Sequence, residues 1–156
     1  MEIRLATPGD IEALCPLLTE FFAYNAGLQP AYCRAQSGCG EYPKKMIENE
    51  DSDFLVAVEC GAVLGFLHIN QMKTPPHDSL VPHAYAEIMA FMVSAPRRGE
   101  GIGAMLIDAA KQWSRARNLD YIELFSLVNA EEAGRFYDHE NFDTVGQIRR
   151  YPLTKL

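Results

Sequence analysis

A chain of 156 residues, 48% hydrophobic and 22% charged, has the composition of a soluble globular protein, and its length suits one domain over residues 1–156. A formal charge of −7 argues against a nucleic-acid partner, which needs a basic face, and no apolar run is long enough to cross a membrane. Cys15, Cys33, Cys39 and Cys60 form no Cys-x-x-Cys pair, and the opening MEIRLATPGDIEAL lacks the pattern of a signal peptide, so the expectation is a reducing cytoplasm with no disulfide staples and no metal.

Ile3 and Leu5 alternate with Glu2 and Arg4, which predicts a short strand. Thr7-Pro8-Gly9-Asp10 ends it and opens a helix. Ile11, Leu14, Cys15, Leu18, Phe21 and Phe22 recur at helical spacing, to about Tyr24. Residues 25–43 are rich in Gly and Pro and read as a loop or a broken second helix; residues 44–50 read as a short helix. Two apolar runs, 54–58 and 62–71, flank Cys60-Gly61 and predict a hairpin. Residues 73–83 hold three prolines and form a loop long enough to carry function.

Residues 84–93 are the most apolar strand candidate, expected at the sheet centre, and simple alternation puts Glu87, Met89, Phe91 and Val93 on one face. The turn RRGEGIG follows, then a helical stripe of Ile102, Met105, Leu106, Ala109, Ala110 and Trp113. Residues 121–127 read as a strand, 130–140 as a short helix, and 142–153 as one or two closing strands. The order predicts a mixed α/β sheet of six or seven strands with about four helices.

RRGEGIG, residues 97–103, places glycines at alternate positions between a strand and a helix. Glycine is costly in regular structure, so such a turn needs unusual backbone angles or a close approach. Helix-start N–H groups lack internal partners and carry partial positive charge, which makes them an anion site, with Arg97 and Arg98 adding charge. A P-loop is excluded because no Gly-Lys-Ser/Thr follows, and the dinucleotide fingerprint fails because Leu106 stands where its third glycine belongs.

Arg98-Gly99-Glu100-Gly101-Ile102-Gly103 resembles the R-x-x-G-x-G pattern of the GNAT superfamily of N-acetyltransferases. Asn129, Ala133, Phe136, Tyr137 and Asn141-Phe142 resemble that family's second signature, N-x-x-A-x-x-F-Y-x-x-x-G-F, with Asn141 in place of the glycine and one extra residue between Asn129 and Ala133. Asn also tolerates left-handed angles. The opening IRLATPGDIEAL resembles the family's first strand and helix, so the likeness spans nearly the whole chain.

The resemblance implies a mixed, mostly antiparallel sheet splayed between its fourth and fifth strands, with acetyl-CoA as co-substrate and no metal. It implies that the diphosphate rests on the loop of Arg98, Gly99, Glu100, Gly101, Ile102, Gly103 and Ala104. The pantetheine arm would pair with Phe91, Met92 and Val93, near Asn129 and Phe136. Tyr137 matches the family's general acid. Glu87 stands where the histone-acetylating branch carries its glutamate, with His68, His83 and Tyr85 as further candidate bases. An acceptor pocket of Tyr24, Tyr32, Tyr42 and Tyr85 would suit a small-molecule amine. The alternatives are a peptide or protein amine, or a non-catalytic acyl-CoA-binding module. Homodimers are common in the family, and residues 147–153 are the candidate strand for one.

Overall fold

The computed structural model describes residues 1–154. Five strands form one sheet in the order β1-β2-β3-β4-β5. They are β1 (Glu2–Leu5), β2 (Ser52–Glu59), β3 (Ala62–Lys73), β4 (Ala84–Val93) and β5 (Ile122–Leu124). The first three pairings are antiparallel and β4–β5 is parallel. The helices are α1 (Ile11–Leu28), α2 (Tyr42–Ile47), α3 (Ile102–Ala116) and α4 (Glu131–His139). None of the described helices is long and apolar enough to cross a membrane.

Alternation along the strands builds two cores. Leu55, Ala57, Leu67, Ile69, Ala86 and Ile88 pack under α3, which contributes Ile102, Leu106, Ile107, Ala110 and Trp113. Phe54, Val56 and Phe66 point the other way, against Leu14, Leu17 and Leu18 of α1. The β2–β3 hairpin turns at Cys60 and Gly61, both at positive φ (51° and 80°), as a tight two-residue turn needs. Before α1, the Asp10 carboxylate accepts from the Thr7 N–H and hydroxyl at 2.7 and 2.8 Å. It also takes a two-pronged ion pair from Arg4, 2.8 Å on each arm.

Four expectations are corrected. Residues 142–153 form no strand, so the sheet has five strands rather than six or seven. Gly146 and Pro152 interrupt this stretch, and beyond Phe142 its large apolar side chains are not buried: Val145, Ile148, Tyr151 and Leu153 stand out in solvent. The fifth strand is three residues long rather than seven. The first helix continues past Tyr24 to Leu28, despite Pro16 in its second turn. Cys15 on α1 and Cys39 in the loop before α2 are joined in a disulfide, Cα atoms 5.0 Å apart.

The change that matters most for function lies in β4. His68 faces Ala90 and Ile69 faces Ile88, so Met89 is one residue too many and bulges out of register. The faces therefore exchange partway along the strand. Ala86 and Ile88 sit on the α3 side, but so do Phe91 and Val93, while Ala90 and Met92 pack toward α1. Glu87, between Ala86 and Ile88, points to the α1 side, not to the face of Phe91 and Val93 that simple alternation assigns it.

Candidate active site

Strands β4 and β5 pair over only three positions, Ala86 with Ile122, Glu87 with Glu123 and Ile88 with Leu124. Beyond these the strands part, and β4 runs on with an open edge. Ser94 N–H donates to the Leu64 carbonyl on β3 at 2.8 Å. Amide direction alternates along a strand, so the N–H and C=O groups of Phe91 and Val93 face the opening. Phe125, Ser126 and Leu127 form its other lip.

The opening leads into a cavity of about 940 Å³. That volume suits a ligand of small-molecule or cofactor size. Its floor is β4 from Glu87 to Met89 and from Phe91 to Val93. One end reaches Gly99, Gly101, Ile102, Gly103 and Ala104; the other is walled by Phe21, Phe22, Tyr24 and Asn25 of α1 with Cys33 and Arg34. Because it passes through the gap in the sheet, the cavity joins the α3 face to the α1 face.

The glycines of the turn divide two tasks. Gly99 and Gly101 have φ of 81° and 80°, angles that an L side chain rarely adopts. Gly103, inside α3, has ordinary angles but no room: a Cβ there would lie 3.1 Å from the Phe136 ring and 3.3 Å from Phe91. Gly101 caps α3, which leaves the first-turn N–H groups directed at the cavity end. The arginines are already engaged. Arg97 bridges Glu59 and Glu100 at 2.9 and 2.8 Å. Arg98 pairs with Glu20 of α1 at 2.8 Å and donates to the Val93 carbonyl at 3.0 Å. Backbone N–H groups and the helix terminus therefore carry most of the positive potential there.

Tyr137 lines the cavity from α4, in a cluster with Phe91, Phe136 and Phe142 at ring separations of 6.4, 5.6 and 5.8 Å. Burial pushes its phenol up to about 12. No hydrogen bond engages its hydroxyl among the described residues, which leaves the proton free to be donated. Asn141 ends this helix with φ 64°, the left-handed angle expected where a glycine is usual.

Glu87 lines the cavity on the α1 side. Burial raises its carboxyl above the ordinary range, and Glu123, directly opposite on β5, raises it further. Its partner on β3 is Asn70, whose buried Oδ1 has no hydrogen-bond partner among the described residues.

Several candidate residues stand elsewhere. Tyr42 does not reach the cavity: its hydroxyl is hydrogen-bonded to His68 Nδ1, and Ser52 Oγ meets Nε2 of the same ring at 2.9 Å. His68 is buried and stacked on Phe54 at 4.6 Å, so it is no base for a bound substrate. Tyr32 stacks under Arg150, 4.4 Å from the guanidinium, and borders a second cavity of about 340 Å³. Tyr85 stacks on Tyr121 at 4.9 Å beside the cavity rather than in its wall, while His83 is tied to Asp120 at 2.9 Å. The Asn129 side chain donates to the Leu28 carbonyl at 2.8 Å and is not a wall residue, although Leu127 and Ala130 on either side are. Tyr24, Phe91, Met92, Val93, Phe136 and the glycine turn are brought together in one wall. Phe21 was legible only as part of the apolar stripe of the first helix, and Cys33, Arg34 and Glu123 were not singled out for the site, because only tertiary contact brings them to it.

The model of the acetyltransferase (GNAT) family matches residues 12–142. An uncharacterized N-acetyltransferase of Bacillus subtilis (strain 168), YhdJ, is 32% identical over 79 residues, which is 50% of this chain and 56% of YhdJ. The chain thus matches little more than half the length of that relative. The crystal structure of a tetramutant of the BH1408 protein from Bacillus halodurans superposes with a TM-score of 0.92 at 25% identity, covering 98% of this chain and 100% of that one. AAC(6')-Iy, solved with the bisubstrate analogue CoA-S-monomethyl-acetylneamine, has a TM-score of 0.75 at 12% identity, over 99% of this chain and 98% of that one. At that identity the likeness is in the fold alone.

Proposed function

The chain belongs to the acetyltransferase (GNAT) family, and from that premise we propose that it moves the acetyl group of acetyl-CoA onto a primary amine of a small molecule, with both substrates held at once. The observation that carries this reading is the gap between β4 and β5, through which one cavity runs from the glycine turn to Tyr137 and Glu87. A diphosphate suits the N–H groups of residues 99–104, and an extended amide-bearing arm suits the open-edge N–H and C=O groups of Phe91 and the N–H of Val93, whose carbonyl already accepts from Arg98. The protein AAC(6')-Iy, which shares the fold, was solved with an analogue that joins CoA to an aminoglycoside acceptor, in keeping with a small-molecule amine here.

The residues divide the chemistry by face. On the α1 side, Glu87 accepts a proton from the attacking ammonium, directly or through water; its raised pKa makes it a better base. The neutral amine attacks the thioester carbonyl, the new C–N bond forms, and the C–S bond breaks. The Val93 N–H stands at the open edge, where it stabilises charge developing on oxygen. On the α3 side, Tyr137 donates its phenolic proton to the departing thiolate, and at a pKa of about 12 it is protonated at neutral pH.

Incubation with acetyl-CoA, a thiol-detecting reagent and a panel of primary amines tests the reading. Amine-dependent release of CoA is expected, with diamines, polyamines and aminoglycosides compared against peptide N-termini. If CoA binds but no amine in either class releases thiol, the non-catalytic binding module is the better account; a preference for peptide amines would move the acceptor class.

A further inference from the structure

Between Leu28 and Tyr42 the chain has no helix or strand, yet it supplies Cys33 and Arg34 to the acceptor end of the cavity. Local bonds only coil it: the N–H groups of Tyr32 and Cys33 both donate to the Gln29 carbonyl, at 3.0 and 2.8 Å. Its far end is pinned to α1 through Cys15–Cys39. Its near end is held from the opposite side of the sheet gap. Asn129, in the turn between β5 and α4, donates to the Leu28 carbonyl at 2.8 Å. Leu28 closes α1, where carbonyls lack helical partners, so this bond caps the helix across 101 positions of sequence. Arg150 lays its guanidinium 4.4 Å from the Tyr32 ring centre and also reaches the Gln29 side-chain oxygen at 3.4 Å.

We propose that Asn129 and Arg150 are positioning residues for the acceptor: by gripping Leu28, Gln29 and Tyr32 across the mouth of the sheet gap, they hold the Cys33–Arg34 wall against the cavity. The proposal rests on the acetyltransferase reading for its kinetic consequence and on geometry alone for its structural one. It gives Asn129 a role other than contact with the pantetheine arm, since its amide nitrogen is committed to α1 while its neighbours line the cavity. It also gives the strandless segment after α4 a task, because that segment brings Arg150 back across the molecule.

The test uses Asn129→Asp, which keeps the shape but removes the amide donor, Arg150→Ala, and the double variant. Hydrogen exchange is read at the Tyr32 and Cys33 amides, acetyl-CoA affinity by calorimetry, and acceptor KM and kcat with an amine found active. Each single change is expected to speed exchange at these amides and to raise acceptor KM about three- to tenfold, with larger effects in the double variant. Acetyl-CoA affinity should stay within about twofold, well under the tenfold that 1.4 kcal/mol represents, with kcat close to the parent. Arg150→Lys, which keeps a cation over Tyr32, should recover part of the loss. A weaker grip on acetyl-CoA in Asn129→Asp, with exchange unchanged, would return that residue to the cofactor and overturn the proposal. Unchanged exchange in the double variant would overturn it too, whether or not any acceptor is turned over.

Discussion

Glu87 and Phe91 lie on opposite faces of β4, although four positions, an even number, separate them. The bulge at Met89 supplies the odd step. It lets one strand present a carboxylate to the α1 side and an aromatic ring with open-edge backbone groups to the α3 side. In the proposed reaction those are the acceptor side and the cofactor side.

Deleting Met89 should remove the bulge without turning either half of the strand over, because Ile88 and Ala90 already face the adjacent β3 residues Ile69 and His68. Phe91 and Val93 should stay on the α3 side and Ala90 and Met92 on the α1 side. The expected result is a folded protein that still binds acetyl-CoA, measured by thermal unfolding and calorimetry; loss of binding would contradict the register. Met89→Ala, which keeps the bulge, should bind normally, since Met89 is 45% exposed.

The glycine turn predicts two different defects. Gly101→Ala forces a Cβ onto a residue at φ 80° and should cost about 1–2 kcal/mol of stability. Gly103→Ala has no angle problem but meets Phe136 at 3.1 Å, so it should displace that ring and weaken acetyl-CoA binding more than stability. Denaturant titration beside calorimetry separates them.

Tyr137→Phe should lower kcat by about a hundredfold or more, as for loss of a general acid, with acetyl-CoA affinity nearly unchanged. At a pKa of about 12 the phenol gives no alkaline fall in rate over the working range. The acid limb belongs to Glu87. Its raised pKa moves the rise in activity to higher pH than an ordinary carboxylate would give, and Glu87→Gln should remove that limb along with most of the rate. Rate profiles from pH 5 to 9 read both.

His68 predicts acid sensitivity of the fold. Burial lowers its pKa from 6.5 to about 4. The Tyr42 hydroxyl at Nδ1 and the Ser52 hydroxyl at Nε2 suit a neutral ring. The unfolded chain therefore binds a proton that the native state refuses. Stability is full above pH 6.5 and falls as pH drops toward 4, by up to about 3 kcal/mol. Urea unfolding at pH 7.5 and 5 should show the drop, and His68→Gln should flatten it from a lower starting stability.

These sites differ in how far the sequence discloses them. Gly99 and Gly101 were legible because a left-handed angle leaves a mark in residue choice, and Asn141 for the same reason. Tyr137 was legible through its motif. The Met89 bulge was not: it is a mismatch between β3 and β4, written in neither strand alone. Tyr42 looked like pocket chemistry until His68, 26 positions on, claimed its hydroxyl. Arg97 and Arg98 looked free for phosphate because Glu59 and Glu20 are distant in sequence. Residues 142–153 alternate well enough to suggest strands, yet alternation makes a strand only where a neighbouring edge accepts it, and β5 ends at Leu124.

The most direct test is a crystal structure of the protein with CoA. It should place the diphosphate on the N–H groups of residues 99–104 and the pantetheine arm along the Phe91–Val93 edge, with the sulfur beside the Tyr137 hydroxyl. CoA bound elsewhere, or a sheet in which β5 zips along β4 past Ile88 and closes the gap, would contradict the account.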